Sequence, residues 1–295
     1  MPRSPNQTAA IRSAHAGSAI ARQPDRKRLA WGWTAAGLLA LASPCFGQGK
    51  VVVGGAGSMV PMMQELARAY EAKKGPQGIE FMTNSLGSGG GIKGVEAGRL
   101  AVGLTGRPLK DNEKGAVVYR QLAVMPVVIA ASSSLSVNGL TAAQLCGIYS
   151  GAIKSWKLVG GADVPIVPLT RNEDDSDKEA LRDQVGCYKG LKESGDVVVL
   201  SSGGGMTSAL AARPTAIGLT SYEAVLKSQG RLKALALDGV EPTADAVTTG
   251  KYRLVKDFAV VTRGEPQGAV KELLEFARSA EGSRILASGG LVPRK

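Results

Sequence analysis

From Lys50 onward the chain alternates short β-branched runs with stretches whose apolar residues recur at three- and four-residue steps. Glycine or a hydroxyl residue marks nearly every passage between them. Lys50 to Gly54 (KVVVG) predicts a strand that runs through GAGSMVP, Gly55 to Pro61, into a helix over Met62 to Gly75. In that helix Met63, Leu66, Ala67 and Tyr70 share a face, and Gly75 supplies the stop. Ile79 to Asn84 predicts a second strand. It leads into LGSGGGIKGVEAG, Leu86 to Gly98, where Ser88 is placed to cap a helix starting near Ile92. Ala101 to Thr105 predicts a third strand, whose end presents Thr105, Gly106 and Arg107. Strand, loop and helix in repeated order predict an α/β fold with a parallel sheet, in which ligands gather outside the carboxyl ends of the strands.

Gln121 to Ala131 (QLAVMPVVIAA) is a continuous apolar run, read as a buried strand that crosses from one lobe to another, with a boundary in the polar Ser132 to Asn138. Thr141 then caps a helix carrying Leu145, Ile148 and Tyr149 on one face and ending at Gly151. Val164 to Thr170 predicts a strand that delivers Arg171 to the acidic run Glu173 to Asp177, ahead of a helix through Leu181 and Val185. Most of these acids read as N-cap and first-turn residues, where the helix dipole favours negative charge; Arg171 and Ser176 stand apart as candidate ligand contacts. Val197 to Ser201 is a strand followed by a third glycine-rich helix entry, SGGGMTSALAARP. Further strands are predicted at Ala216 to Ser221, Leu232 to Leu237 and Lys256 to Thr262, and helices at Tyr222 to Gly230 and Gly268 to Ala280, the last with Val270, Leu273, Leu274 and Ala277 inward. Glu281 to Val292 forms a short closing helix and tail.

The first 47 residues change the balance of the chain. Arg26-Lys27-Arg28 precedes the apolar run Leu29 to Ala42, which is shorter than the ~20 residues of a membrane span and has the basic flank of a secretory signal. Residues 1–47 are therefore read as a leader cut after Gly47; Pro44 disfavours lipidation at Cys45. Setting aside its six basic residues and one acid lowers the net charge from +11 to +6. That surplus suits small anions. It forms no basic run of the kind that grips nucleic acid. The remaining cysteines, Cys146 and Cys187, are predicted to form a disulfide in an oxidising compartment. The only histidine, His15, lies in the leader, so Ser-His and Cys-His nucleophile pairs and His-containing metal sites are removed, and no cofactor is implied.

Glycine-rich turns that enter helices present unpaired N–H groups and a positive dipole end, a geometry suited to an oxyanion. Three stretches share the device: around Ser58, around Ser88 with Gly89 to Gly91, and after Ser202. The order GAGSMVP, LGSGGGIKGVEAG, VGLTGRPLK, LTAAQLCGIYSGAIKSW, a strand ending in Arg171, PTAIGLTSYEA and DGVEPTADAVTTGKYRL resembles the phosphate-binding solute receptors of ABC transporters. The resemblance runs over nearly all of Lys50 to Pro293 and implies a two-lobed type II periplasmic binding-protein fold. Each lobe is then a mixed, mostly parallel sheet flanked by helices, with two crossover strands between the lobes. One lobe comprises residues 48–130 and 249–295, and the other 131–248.

The resemblance implies ligand contacts from Ser58 and the backbone of Met59 and Val60, from Ser88 and Gly89, and from Arg171. The residues themselves add Thr105, Arg107, Asp175 and Ser176 as candidates. Two departures stand out. The best-known phosphate receptors place a carboxylate where this chain has Gly106, and their G-S-G-T run is Asp174-Asp175-Ser176-Asp177 here. A carboxylate beside a dianion repels it unless a shared proton joins them. Asp174 or Asp175 can take the proton-accepting role, or pair with Arg171 or Arg107 while the guest is another oxyanion. The reading is a monomeric, periplasmic, non-enzymatic receptor that delivers a small oxyanion, phosphate foremost, to an ABC permease. The alternatives are a periplasmic anion sensor or binding module, and a phosphatase-like enzyme on the same scaffold.

Overall fold

The computed structural model describes residues 50–294. The proposed leader, its cleavage after Gly47, the lipidation question at Cys45 and His15 all lie outside that range. Parallel pairing of β1 (Val51–Gly55) with β2 (Ile79–Phe81) on one side and β3 (Val102–Thr105) on the other builds one end of a mixed sheet. The connections are α1 (Val60–Lys74), which starts with Pro61 in its first turn, and α2 (Gly87–Glu96). Next comes β4 (Val118–Ser132), fifteen residues long and so roughly 50 Å at ~3.3 Å per residue. Its first half gives Leu122, Ala123 and Met125 to one hydrophobic core, and its second half gives Val127, Ile129 and Ala131 to another. The alternate residues Val128 and Ala130 enter a third, so one strand serves three cores.

Around the second half of β4 lie β5 (Gly139–Leu140), α3 (Ala142–Ser150), β6 (Val167–Arg171), α4 (Ser176–Gln184), β7 (Val198–Leu200), α5 (Gly203–Ala212), β8 (Ala216–Ser221), α6 (Tyr222–Leu226), β9 (Leu232–Leu237) and α7 (Ala244–Thr248), with α3, α4 and α7 on the second core and α5 and α6 on the third. Here β6 runs parallel to both β7 and β8, and β4 pairs antiparallel with β8 and β9. The chain then returns through β10 (Val255–Thr262), which inserts antiparallel between β3 and β4, and ends in α8 (Gly268–Arg278), α9 (Ala280–Ser288) and β11 (Val292–Pro293). The α/β class and the crossover strands agree with the sequence reading. The sheet is parallel in its outer strands and antiparallel around β4 and β10, because a strand that leaves one core and a strand that returns to it must run in opposite directions.

Several boundaries differ for local reasons. The second helix starts five residues before Ile92, so Ser88 lies inside its first turn; the N-cap position is Leu86, with no side-chain cap bond. Glycines 89–91 lie within α2, and at Gly91 the sheet leaves no room for a side chain. Thr141 does cap α3, in a reciprocal box with Gln144, and Gly151 closes it in the left-handed region at φ 81°. Among the described residues no helix is long and apolar enough to cross a membrane.

Cys146 of α3 is joined to Cys187, in the turn after α4, across a sequence separation of 41. Closing a loop of that length restricts the unfolded chain and is worth about 2–4 kcal/mol. Reduction, or the double substitution Cys146→Ser/Cys187→Ser, is expected to lower the thermal midpoint by several degrees in calorimetry, because the bridge braces the core behind α4. An unchanged midpoint would show that it carries no stability.

Candidate functional site

The carboxyl ends of β1, β3 and β6 face one region, and four local devices shape it. After β1 the chain turns through Gly57–Met59 in a 3-10 turn that presents the Ser58 hydroxyl. The amides predicted to serve a guest are already used: Met59 N–H donates to the Ala56 carbonyl at 3.0 Å, and Val60 N–H donates to Gly57. The Met59 side chain is wholly buried in the first core. Met59 and Val60 therefore build the turn, and Ser58 is the residue the turn delivers.

The second device is α2, pressed against the sheet. A Cβ on Gly91 would lie 2.8 Å from the Leu104 carbonyl oxygen and 2.9 Å from Gly55 Cα. Only glycine permits that approach. It sets Ser88, whose hydroxyl accepts from Gly106 N–H at 3.0 Å just past the end of β3. Ser88 thus pins the β3 loop instead of capping its own helix. Gly89 sits in the same turn of α2, close to the Arg107 guanidinium.

Beyond β3, Thr105 and Arg107 make a local lock. The Thr105 hydroxyl donates to the Arg107 carbonyl at 2.9 Å, and Arg107 forks onto Glu113 with two bonds of 2.8 Å. The Arg107 bonds hold the Glu113 carboxyl below its ordinary pKa. Arg107 Nε also faces Glu179 of α4 at 3.6 Å, too long for a hydrogen bond. Burial holds the Glu179 pKa up. Thr105 and Arg107 thus close the loop toward α4, with their polar groups largely committed.

The fourth device is the start of α4, which the structure anchors from behind. Lys178, wholly buried, donates to the Thr170 hydroxyl at 2.6 Å and pairs with Glu193, fixing the first turn of α4 against β6. Asp175 is the N-cap, accepting from Asp177 N–H at 3.0 Å, as the acidic-run reading predicts. It also takes a 2.6 Å bond from Arg171 Nη2. Burial raises the Asp175 pKa, but Arg171 and its other donors outweigh that and hold it below the ordinary value. Arg171 is 3% exposed; Nη1 donates to the Leu200 carbonyl at 2.9 Å, and Nε has no partner among the described residues. Asp174, left open as a proton acceptor, contributes its carbonyl oxygen beside Gly87.

Two residues that the sequence reading passed over join these pieces. The Lys256 ammonium, at the start of β10, donates to Ser58 at 2.7 Å, lies 3.4 Å from the Ser176 hydroxyl, and pairs with Asp177. Both side chains are at most 2% exposed. Lys256 arrives there because β10 runs antiparallel to β3, so its first residues lie beside the end of β3; Asp257 N–H donates to the Gly106 carbonyl at 3.1 Å. Gly106 is bare because Ser176 fills the space a Cβ needs, 2.6 Å away. The structure therefore brings Ser58, Ser88, Ser176, Arg171 and Asp175 into one continuous cluster, and adds Lys256 and Asp177. A cue existed in the sequence: two-residue alternation places Lys256 on the same strand face as the buried Phe258.

Open cavities of about 490 and 340 Å³ flank this cluster, one lined by Gly106, Ser176 and Lys256, the other by Ser58 and the Gly203–Gly204 entry to α5. Ser202 caps α5 by accepting from Gly205 N–H at 3.1 Å, so the third glycine-rich turn also borders the region. Cationic donors, hydroxyls and helix starts are the equipment of an anion site. Among the described residues no group of three or more His, Cys, Asp or Glu side chains is placed to hold a metal ion.

Residues 42–281 match the model of the PBP superfamily domain. The chain is 26% identical over 249 residues to the phosphate-binding protein PstS of Bacillus subtilis, covering 83% of this chain and 81% of that protein. Among solved structures it resembles a Clostridium perfringens protein with bound phosphate, assigned as a phosphate ABC transporter substrate-binding protein: TM-score 0.76, 29% identity, 83% of this chain and all of that one. It also shares the fold of an ABC-type phosphate transport receptor from Vibrio cholerae, with TM-score 0.64, 24% identity and the same coverage.

The packing of α2 gives a direct test of how Ser88 is held. Gly91→Ala is expected to cost about 1–3 kcal/mol in urea unfolding, the usual range for overpacking a close contact. It should also shift the Gly106 amide resonance, because α2 must move off β1 and β3. An unaltered unfolding midpoint would show that the close approach is not required.

Proposed function

The chain belongs to the PBP superfamily, and from that premise we propose that it is an exported solute-binding protein that captures phosphate for an ABC permease. Arg171 carries this reading. A guanidinium that is 3% exposed, tied to one carboxylate and one carbonyl, still has an Nε donor without a partner among the described residues, and a buried donor left that way is costly unless a guest takes it. An oxyanion is the matching acceptor. Ser58, Ser88 and Ser176 supply hydroxyls around the same cluster, and the named relatives are phosphate-binding proteins. The residues offered here as the site are Ser58, Ser88, Arg171, Asp175 and Ser176; Met59, Val60, Gly89, Thr105 and Arg107 shape the loops that carry them.

Two lobes, residues 48–130 with 249–295 and residues 131–248, would close on the anion, with β4 and β10 as the hinge between their cores. Their separate hydrophobic clusters support that division. Export to the periplasm fits both the leader reading and the disulfide. A monomer, a permease partner and the absence of catalysis complete the proposal.

Isothermal titration of the mature protein with phosphate tests it. Arg171→Ala should weaken phosphate binding by at least roughly thirtyfold, in line with the ~2–5 kcal/mol lost from binding when one partner of a buried, hydrogen-bonded charge pair is truncated. Equal affinity in the variant would remove Arg171 from the site.

A further inference from the structure

The cations of the cluster are already partnered by the protein. An ammonium has three donors, and Lys256 directs its own at Ser58, Ser176 and Asp177, one from the first core and two from α4. Arg171 is treated the same way by Asp175, except at Nε. Both carboxylates come from the start of one helix, Asp175 as its N-cap and Asp177 in its first turn. Arg171 and Lys256 together are thus balanced by Asp175 and Asp177. An electroneutral cluster attracts a dianion weakly, and a carboxylate held against the ammonium stands where an anionic oxygen would otherwise dock.

We propose that Asp177 is a tethered competitor for Lys256: the guest anion must displace this carboxylate to use the ammonium, so the pair sets the affinity of the site and links capture to protonation. This rests on the anion-receptor reading. Lys256 then becomes a ligand-binding residue, and Asp177 the group that withholds it.

Geometry makes the exchange possible without refolding. Asp177 is the second residue of α4, while the helix is secured separately through the Asp175 cap and the buried Lys178. Losing the Lys256 contact therefore leaves α4 in place. The groups that act on Asp177 are Lys256 on β10, Arg171 on β6 and Asp175 at its own helix start; β8, also packed on α4, offers no charge, and Glu223 at the far side acts on Lys256. Burial, reinforced by Asp175, raises the Asp177 pKa above the ordinary carboxyl value against the pull of Lys256 and Arg171. Protonation neutralises the competitor. Anion affinity should then rise as pH falls.

Sulfate, which does not titrate between pH 5 and 8, separates this effect from the ionisation of phosphate itself. Titrations of wild type, Asp177→Asn and Lys256→Met with phosphate and with sulfate, at pH 8 and pH 5.5, provide the test, with thermal melts confirming folding. Asp177→Asn should bind both anions at least tenfold more tightly than wild type at pH 8. Wild type should gain sulfate affinity on acidification, Asp177→Asn should not, and Lys256→Met should bind weakly at both pH values. If wild type binds phosphate through Arg171 but Asp177→Asn binds it no better, or wild-type sulfate affinity ignores pH, the competitor role is overturned while the receptor reading stands. Should the wild-type protein and both variants bind neither anion at either pH, the receptor reading falls and takes this inference with it.

Discussion

A buried ammonium must have partners, and the need to satisfy that of Lys256 organises the centre of this protein. Stripped of water at the start of β10, it reaches Ser58 behind β1 and Asp177 with Ser176 at the head of α4. Leaving such a charge unpaired would cost several kcal/mol. The hydrophobic cores on the two halves of β4 are therefore joined by polar chemistry, in addition to the strands β4 and β10. That polar junction lies at the carboxyl ends of the parallel strands, where open α/β sheets present their ligands.

The head of α4 is the pivot of this arrangement. Acids belong at a helix start because the peptide dipole favours them there, and Asp175 meets that role by capping its own helix. The same two carboxylates also hold Arg171 and Lys256. Local helix energetics and site electrostatics thus draw on the same residues, so a substitution at Asp175 or Asp177 acts on both. Lys178 separates the two roles in part, since it binds α4 to β6 from the opposite side through Thr170 and Glu193. Arg107 and Glu113 perform a similar service for the loop after β3, with Glu179 facing them from α4.

Much of the fold was legible in the sequence because its signals are local. β-branched runs, helical spacing in α1 and α8, the Thr141 cap and the Gly151 stop depend on neighbours a few residues away. Candidate residues at strand ends were legible for the same reason, and Ser58, Ser88, Arg171, Asp175 and Ser176 do converge. Roles were less legible. Ser88 looked like a helix cap and instead holds the Gly106 amide, because the helix begins earlier than the three glycines suggest. The amides of Met59 and Val60 looked available and are consumed in their own turn.

By itself, then, the sequence determined the alternation of strands and helices, the pair of cysteines, the absence of histidine beyond His15 and the glycine-rich turns that suit an anion. These follow from covalent chemistry and short-range backbone preferences. Tertiary structure alone decided that Lys256, 198 positions from Ser58 and 79 from Asp177, would meet both. Antiparallel insertion of β10 between β3 and β4 makes that meeting, and strand register is a property of long-range pairing that no local pattern encodes. The lack of a side chain at Gly106 likewise acquires its meaning from Ser176, which comes from another part of the chain and fills the space.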